Sequence, residues 1–351
     1  LKPPARWLLS ALLLLANAAR PLYAGEVADP GVSTPLASRL LLLDVAVTGP
    51  RIVAVGERGY ILFSEDGGAS WHRAEAPKGA TLTGITFFGE DLGWAVGHDA
   101  TILRSTDGGR RWRRVHAERE GERALFDVWF ANERHGLAVG AYGLLLESTD
   151  GGERWMRRTL DIYQAGPDGG ADGGGAAAGR GGDPSAFDLP ETDLHLNHIA
   201  ATESGRLYLA AERGTVFRSD DRGRSWRALP SPYAGSFSGV LPLDDNAALV
   251  FGLRGHLYRL DPAGWTAIPT GTDETLTTGV RLSDGTLVLA GLGGVVLLSR
   301  DGGQSFTPQP EPDRAGFAAI AGSQHRALFL VGERGIRRFV PVLTAAGAAR
   351  E

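Results

Sequence analysis

The sequence has no cysteine. That excludes a disulfide framework, thiol catalysis and a thiolate metal site. It has no His-x-x-x-His pair and no Asp-rich ligand run, so its eight histidines give no metal-binding pattern. Positive charge is not in excess. The formal net charge is −5, and without Lys2, Arg6 and Arg20 of the first 24 residues the remainder is near −8. Such a balance argues against a general nucleic-acid binder. Beyond residue 24 no apolar run is long enough to span a bilayer.

What is abundant is glycine, 50 of 351 residues, as many tight turns would require. Much of it falls in a repeated pattern. Residues 96–112 contain an apolar run ending at Gly97, a second run around Ile102, and a turn reading Ser105-x-Asp107-Gly-Gly-x-x-Trp112. The turn recurs at Ser64/Asp66/Trp71, Ser148/Asp150/Trp155 and Ser219/Asp221/Trp226, with weaker copies at Asp261/Trp265 and Ser299/Asp301/Phe306. The residue that closes the first apolar run of each unit is Gly56, Gly97, Gly140, Ala211, Gly252, Gly291 and Gly332. The spacing is close to 40 residues except for one gap of 71, which holds a Gly/Ala-rich stretch. Seven units of that length match a four-stranded propeller blade. The expected fold is therefore all-β, a single seven-bladed β-propeller of four-stranded antiparallel blades.

Within the turn, aspartate accepts backbone N–H bonds and the glycines supply positive φ. The tryptophan opens the next strand and can bury its ring between blades. Asp66, Trp71, Asp107, Trp112, Asp150, Trp155, Asp221, Trp226 and Asp301 are accordingly read as structural.

This turn is the Asp-box, or BNR, repeat. Joined to a preceding Val-Gly-x-x-Gly, as in Val55–Trp71 and Val139–Trp155, it resembles the propeller family of photosystem II assembly and stability factors of cyanobacteria and plants, and its bacterial relatives. The resemblance covers residues 40–342. It implies a non-catalytic scaffold with no cofactor that binds a membrane-protein client, through an arginine-rich patch. It also implies photosystem II biogenesis if the host is phototrophic.

Residues 1–24 read as a secretory signal, with Lys2 and Arg6 before an apolar core from Trp7 to Ala16. The expected product is an exported monomer, soluble or peripheral to a membrane, in a periplasm or equivalent lumen. The propeller is expected over residues 25–342, with a flexible insertion at 161–190 between blades 3 and 4 and a tail at 343–351. The seventh unit lacks a fourth strand at its C-terminal end. The segment Val32–Arg39 is expected to supply it and close the ring.

Calling the strands of a blade a to d from the axis outward, the b–c turns share one face with the d–a connections. The second residue of the b–c turn is Arg58, Asp99, Tyr142, Arg213, Arg254, Gly293 or Arg334 in blades 1 to 7. The turn itself does not need arginine there. Arg58, Arg213, Arg254 and Arg334, with Glu57, Glu212 and Glu333 beside three of them, are the candidate partner-binding residues. The arginines either pair locally with glutamate or form a ring of guanidinium donors for carboxylates or a polar peptide. A sialidase-like hydrolase or a carbohydrate-binding propeller is the alternative, since the same face offers arginine, Glu57, Tyr142 and Asp99. Sialidases, however, are six-bladed, and their arginines do not come from one repeated turn.

Overall fold

The computed structural model describes residues 37, 39–121, 123–162, 194–309, 313–322 and 327–341. The candidate signal segment, the Gly-rich insertion from 163 onward, the tail from 342 onward and most of the Val32–Arg39 segment lie outside them.

Among the described residues the chain is a ring of seven antiparallel sheets taken in sequence order, six of four strands and a last one of three. In blade 1 the strands are Leu42–Thr48, Arg51–Gly56, Ile61–Ser64 and His72–Arg73, the short β-rich runs that the sequence pattern demands. Blade 7 has Phe317–Gly322, Leu328–Gly332 and Gly335–Phe339. The innermost strands of successive blades are neighbours all the way round, and that of blade 7 lies against that of blade 1.

The core follows from this stacking. Strand b of every blade is buried on both faces, as in Arg51–Gly56 and Gly136–Gly140, so it reads as a continuous apolar run rather than an alternation. Among the described residues the buried hydrophobics fall into seven clusters, one at each blade interface. The turn aromatics sit at these seams: Trp71 between blades 7 and 1, Trp112 between 1 and 2, Trp155 between 2 and 3, and Trp226 between 3 and 4. Ala37 and Leu40 are buried against Ala319, Ala327, Phe329 and Val331 of blade 7.

The Asp-boxes have the expected hydrogen bonds. Asp107 Oδ1 accepts the Arg110 and Arg111 amides at 3.1 and 2.9 Å, while Ser105 Oγ accepts the Gly109 amide at 2.9 Å. Asp66, Asp150, Asp221 and Asp301 repeat the motif. The copy at Asp261 differs: Asp261 pairs directly with Gly264 in a two-residue hairpin.

The glycine ending strand b is explained by close approach rather than by φ. A Cβ at Gly97 would lie 2.0 Å from the Thr81 carbonyl oxygen, and one at Gly140 would lie 2.1 Å from that of Ala124. The next amide then bonds that same carbonyl, His98 N to Thr81 O at 3.0 Å and Ala141 N to Ala124 O at 2.9 Å. Each b–c turn is thereby pinned to the start of its own innermost strand.

Candidate functional site

The second residue of the b–c turn points away from the pinned backbone. In blades 1 to 5 it lies in the left-handed region, with φ of 55° at Arg58, Arg213 and Arg254, 56° at Asp99 and 53° at Tyr142. Blade 6 places Gly293 there at φ 65°. A non-glycine residue held in that region costs about 1 kcal/mol or more. Three arginines therefore occupy a position that suits glycine better, and the turn gains nothing from them. Arg334 sits in a tighter hairpin, where Gly332 pairs with Gly335.

All four arginines are exposed. The Arg58 side chain is 82% accessible and only 4.0 Å from Glu57. Arg213 and Arg254 form no ion pair among the described residues. Arg334 is 3.4 Å from Asp313, a carboxylate also held by Arg337 at 2.7 Å. The Arg337 hydrogen bond keeps the Asp313 carboxyl below the usual carboxylate range.

The glutamates are engaged differently. Glu57 Oε1 accepts the Leu41 amide at 3.1 Å, Glu212 Oε2 that of His195 at 3.1 Å, and Glu333 Oε2 that of Gly316 at 3.1 Å. Each carboxylate thus adds a second bond to the pinning of its turn. Local Glu–Arg pairing is slight, because these oxygens face the backbone.

The same face carries apolar groups that the sequence did not single out for partner binding. Six large hydrophobic side chains are exposed among the described residues, and four belong to this face: Leu41, Tyr142, Leu253 and Leu292. Leu253 and Leu292 hold the first turn position that glutamate holds in blades 1, 4 and 7, so a comparison of the turns residue by residue would have found them. The Tyr142 ring meets His195 edge-on at 4.8 Å, and Tyr233 stacks on His256 at 4.3 Å. The face therefore offers guanidinium donors beside exposed leucine and aromatic surface. This mixture suits a peptide with carboxylate or carbonyl groups and apolar side chains. Glu57, Asp99 and Tyr142, the residues a sialidase-like reading would use, belong to three different blades. Among the described residues no group of three His, Asp or Glu side chains could hold a metal ion, and no helix is long and apolar enough to cross a membrane.

Comparison with known proteins agrees with the sequence resemblance. Residues 31–121 and 117–166 match the family model described as photosynthesis system II assembly factor YCF48. No curated protein matches the sequence. Among solved structures, YCF48 bound to D1 peptide superposes with a TM-score of 0.66 at 17% identity, over 89% of this chain and 96% of the other. YCF48 from Cyanidioschyzon merolae gives 0.65 at 17% identity, over 89% and 99%. The WD40 propeller domain of Doa1 gives 0.63 at 10% identity, over 88% and 94%. At such identities the superpositions speak for the fold alone. In sequence over blades 1 to 3, and in fold throughout, the chain is similar to the photosystem II assembly-factor propellers.

Proposed function

We infer that the face of b–c turns is a docking platform for an exported segment of a membrane protein, and that the chain is a non-catalytic assembly scaffold. The observation that carries this reading is the strained arginine position. Arg58, Arg213 and Arg254 hold an unfavourable backbone conformation while making little local use of their charge, and a cost without a structural return points to a role outside the fold. The similar structure bound to D1 peptide supports a client of that class, which in a phototrophic host means photosystem II biogenesis. The basic and apolar N-terminal segment supports an exported location, and that location fits a client segment reached from outside the membrane.

The test exploits the backbone. Glycine accepts the second turn position, as Gly293 does, so Arg58→Gly, Arg213→Gly and Arg254→Gly combined with Arg334→Ala should fold and melt no earlier than the native chain. Binding of a D1 peptide, measured by titration calorimetry, should weaken by about 1–3 kcal/mol for each charge-assisted hydrogen bond removed. Rising salt should also weaken it, since the side chains are exposed. Equal binding by both proteins, or earlier melting with normal binding, would return the arginines to a structural role. Turnover of a fluorogenic sialoside by the purified chain would overturn the non-catalytic assignment.

A further inference from the structure

Blade 2 lacks the turn arginine, having Asp99 instead, yet its share of this face is not uncharged. The basic stretch Arg110-Arg111-Trp112-Arg113-Arg114 reads from sequence as a solvated outer strand. For three of its arginines the structure agrees: Arg110 pairs with Glu65, Arg111 with Glu75 at 3.5 Å, and Arg113 with Glu153. Arg114 departs from them. It forms no ion pair among the described residues, and its Nη2 donates to the Lys78 carbonyl at 3.3 Å. This lays the guanidinium across the loop that joins blade 1 to blade 2. Arg119, in the loop leaving blade 2, likewise forms no ion pair among the described residues.

These side chains line one cleft of about 330 Å³, together with Lys78, His98 and Thr101. Among the described residues Asp99 is the only acid in its wall. The wall is tied in place, with Glu118 N donating to Asp99 O at 2.8 Å, Ala100 N to Arg123 O at 2.7 Å, and Thr101 N to His98 O at 3.0 Å.

We propose that this cleft is an anion subsite that takes acidic side chains of the docked peptide. The proposal rests on the docking reading above and adds to it a place where the peptide must carry carboxylates. Two guanidinium groups can each take a carboxylate through paired N–H donors, and the cleft is concave enough to enclose such groups. A flat anionic membrane fits less well, because the guanidinium groups lie in a concave cleft that a separate side chain can enter and a planar surface cannot.

The probe is a fluorescent peptide of alternating Glu and Leu, with a Gln-for-Glu peptide as control, read by anisotropy. The protein variants are Arg114→Ala/Arg119→Ala and, alongside, the turn-arginine variant described above. The native chain should bind the acidic peptide and not the control. The cleft variant should keep its melting temperature and bind about tenfold or more weakly, as expected when charge-assisted hydrogen bonds are removed. If the cleft variant binds like the native chain while the turn variant does not, the subsite is wrong and the platform stands. If only the cleft variant is weakened, the subsite stands and the arginine platform falls. If the peptide fails to bind, while vesicles containing phosphatidylglycerol bind in a manner that needs Arg114 and Arg119, the site is a membrane contact and the proposal is overturned.

Discussion

Asp44 offers a test of what holds the centre of the ring. It stands at the bulge of the innermost strand of blade 1, between Leu42 and Val45. One carboxylate oxygen accepts the Val45 amide at 2.8 Å, and the other accepts the Ile85 amide of blade 2 at 2.7 Å. Asp127 of blade 3 repeats the arrangement, accepting Val128 N at 2.7 Å and Ile199 N of blade 4 at 2.9 Å. Two effects oppose each other at Asp44. Burial pushes its pKa up, the Asp127 charge pushes it further, and the two amides pull it back, leaving it at about 8 against an ordinary 3.8. Between those values the folded state keeps a proton that the unfolded chain releases, so stability must fall as pH rises from about 4 to about 8. The full interval corresponds to at most about 6 kcal/mol. The side chain keeps some contact with solvent, and screening makes the expected loss smaller than this ceiling. Urea unfolding of the native chain and of Asp44→Asn, at a series of pH values, isolates this group from all others. Asparagine keeps only one of the two acceptors, so the variant should be the weaker protein near pH 4, and its deficit should shrink toward pH 8 as the native carboxyl is forced to ionise. If Asp44→Asn is instead weaker by the same amount at every pH, the ionised carboxylate is the form the fold prefers and the amide bonds win.

Other perturbations separate fold from surface. Asp107→Ala removes the acceptor of two amides and should lower stability by about 1–2 kcal/mol in urea unfolding, without changing peptide binding. Asp66 is held down to about 2 by the Ser70 hydroxyl, the Ser70 amide and Ser64, and Asp150, Asp221 and Asp301 are lowered too. The stability these boxes contribute is therefore present above about pH 4 and should be lost as pH falls below it, which acid unfolding will show. Arg222 stands at φ 62° where the other boxes carry glycine, so Arg222→Gly should raise stability by about 0.5–1 kcal/mol. Deleting residues 25–38 should lower the melting temperature markedly if that segment completes blade 7; unchanged melting without aggregation would reject that closure.

The fold was legible because its constraints are backbone constraints that recur. A carbonyl lying 2.0 Å from the Cβ position of Gly97 permits little but glycine, and the same close approach returns at nearly every blade. Buried turn amides likewise select the same serine and aspartate each time, and the seams between blades select an aromatic ring. The turn at Asp261 passes for a weak box in sequence because Asp, Gly and Trp stand in the right order. The hairpin there is shorter, with the Asp261 carboxylate accepting one backbone amide, that of Ala263 at 2.9 Å, and Arg259 Nε at 3.4 Å. The proposed docking face was legible only in part. Arg58, Arg213, Arg254 and Arg334 showed themselves through a shared register, whereas the cleft of blade 2 draws Lys78, Arg114 and Arg119 from three segments with no common spacing. The left-handed strain at the arginines is a property of φ, and nothing in a residue's identity announces it. The glutamate clasps were hidden for another reason: a carboxylate beside an arginine suggests a salt bridge, while here the nearby backbone amide is the better partner.

If the turn arginines dock a client as proposed, their places around the ring constrain its shape. The turn arginines fall in two adjacent pairs, blades 7 and 1 and blades 4 and 5, which lie on nearly opposite sides of a seven-membered ring. Leu41 of blade 1 and Leu253 of blade 5 accompany those pairs, and Tyr142 and Leu292 stand in blades 3 and 6. A compact ligand on the axis would meet all blades alike and would give no reason for arginine to cluster in two places. An extended segment crossing the axis from one pair to the other does give such a reason. It would present carboxylate or carbonyl groups at both ends of its path and apolar side chains between them. Each pair then holds one part of the same chain, and once one part is seated the other binds at high effective concentration. Replacing either pair should therefore remove nearly as much affinity as replacing both, and a peptide cut in half should bind far more weakly than the whole. If the losses from the two pairs simply add, or half-length peptides bind as well as the full one, the pairs are independent sites and no single segment spans them.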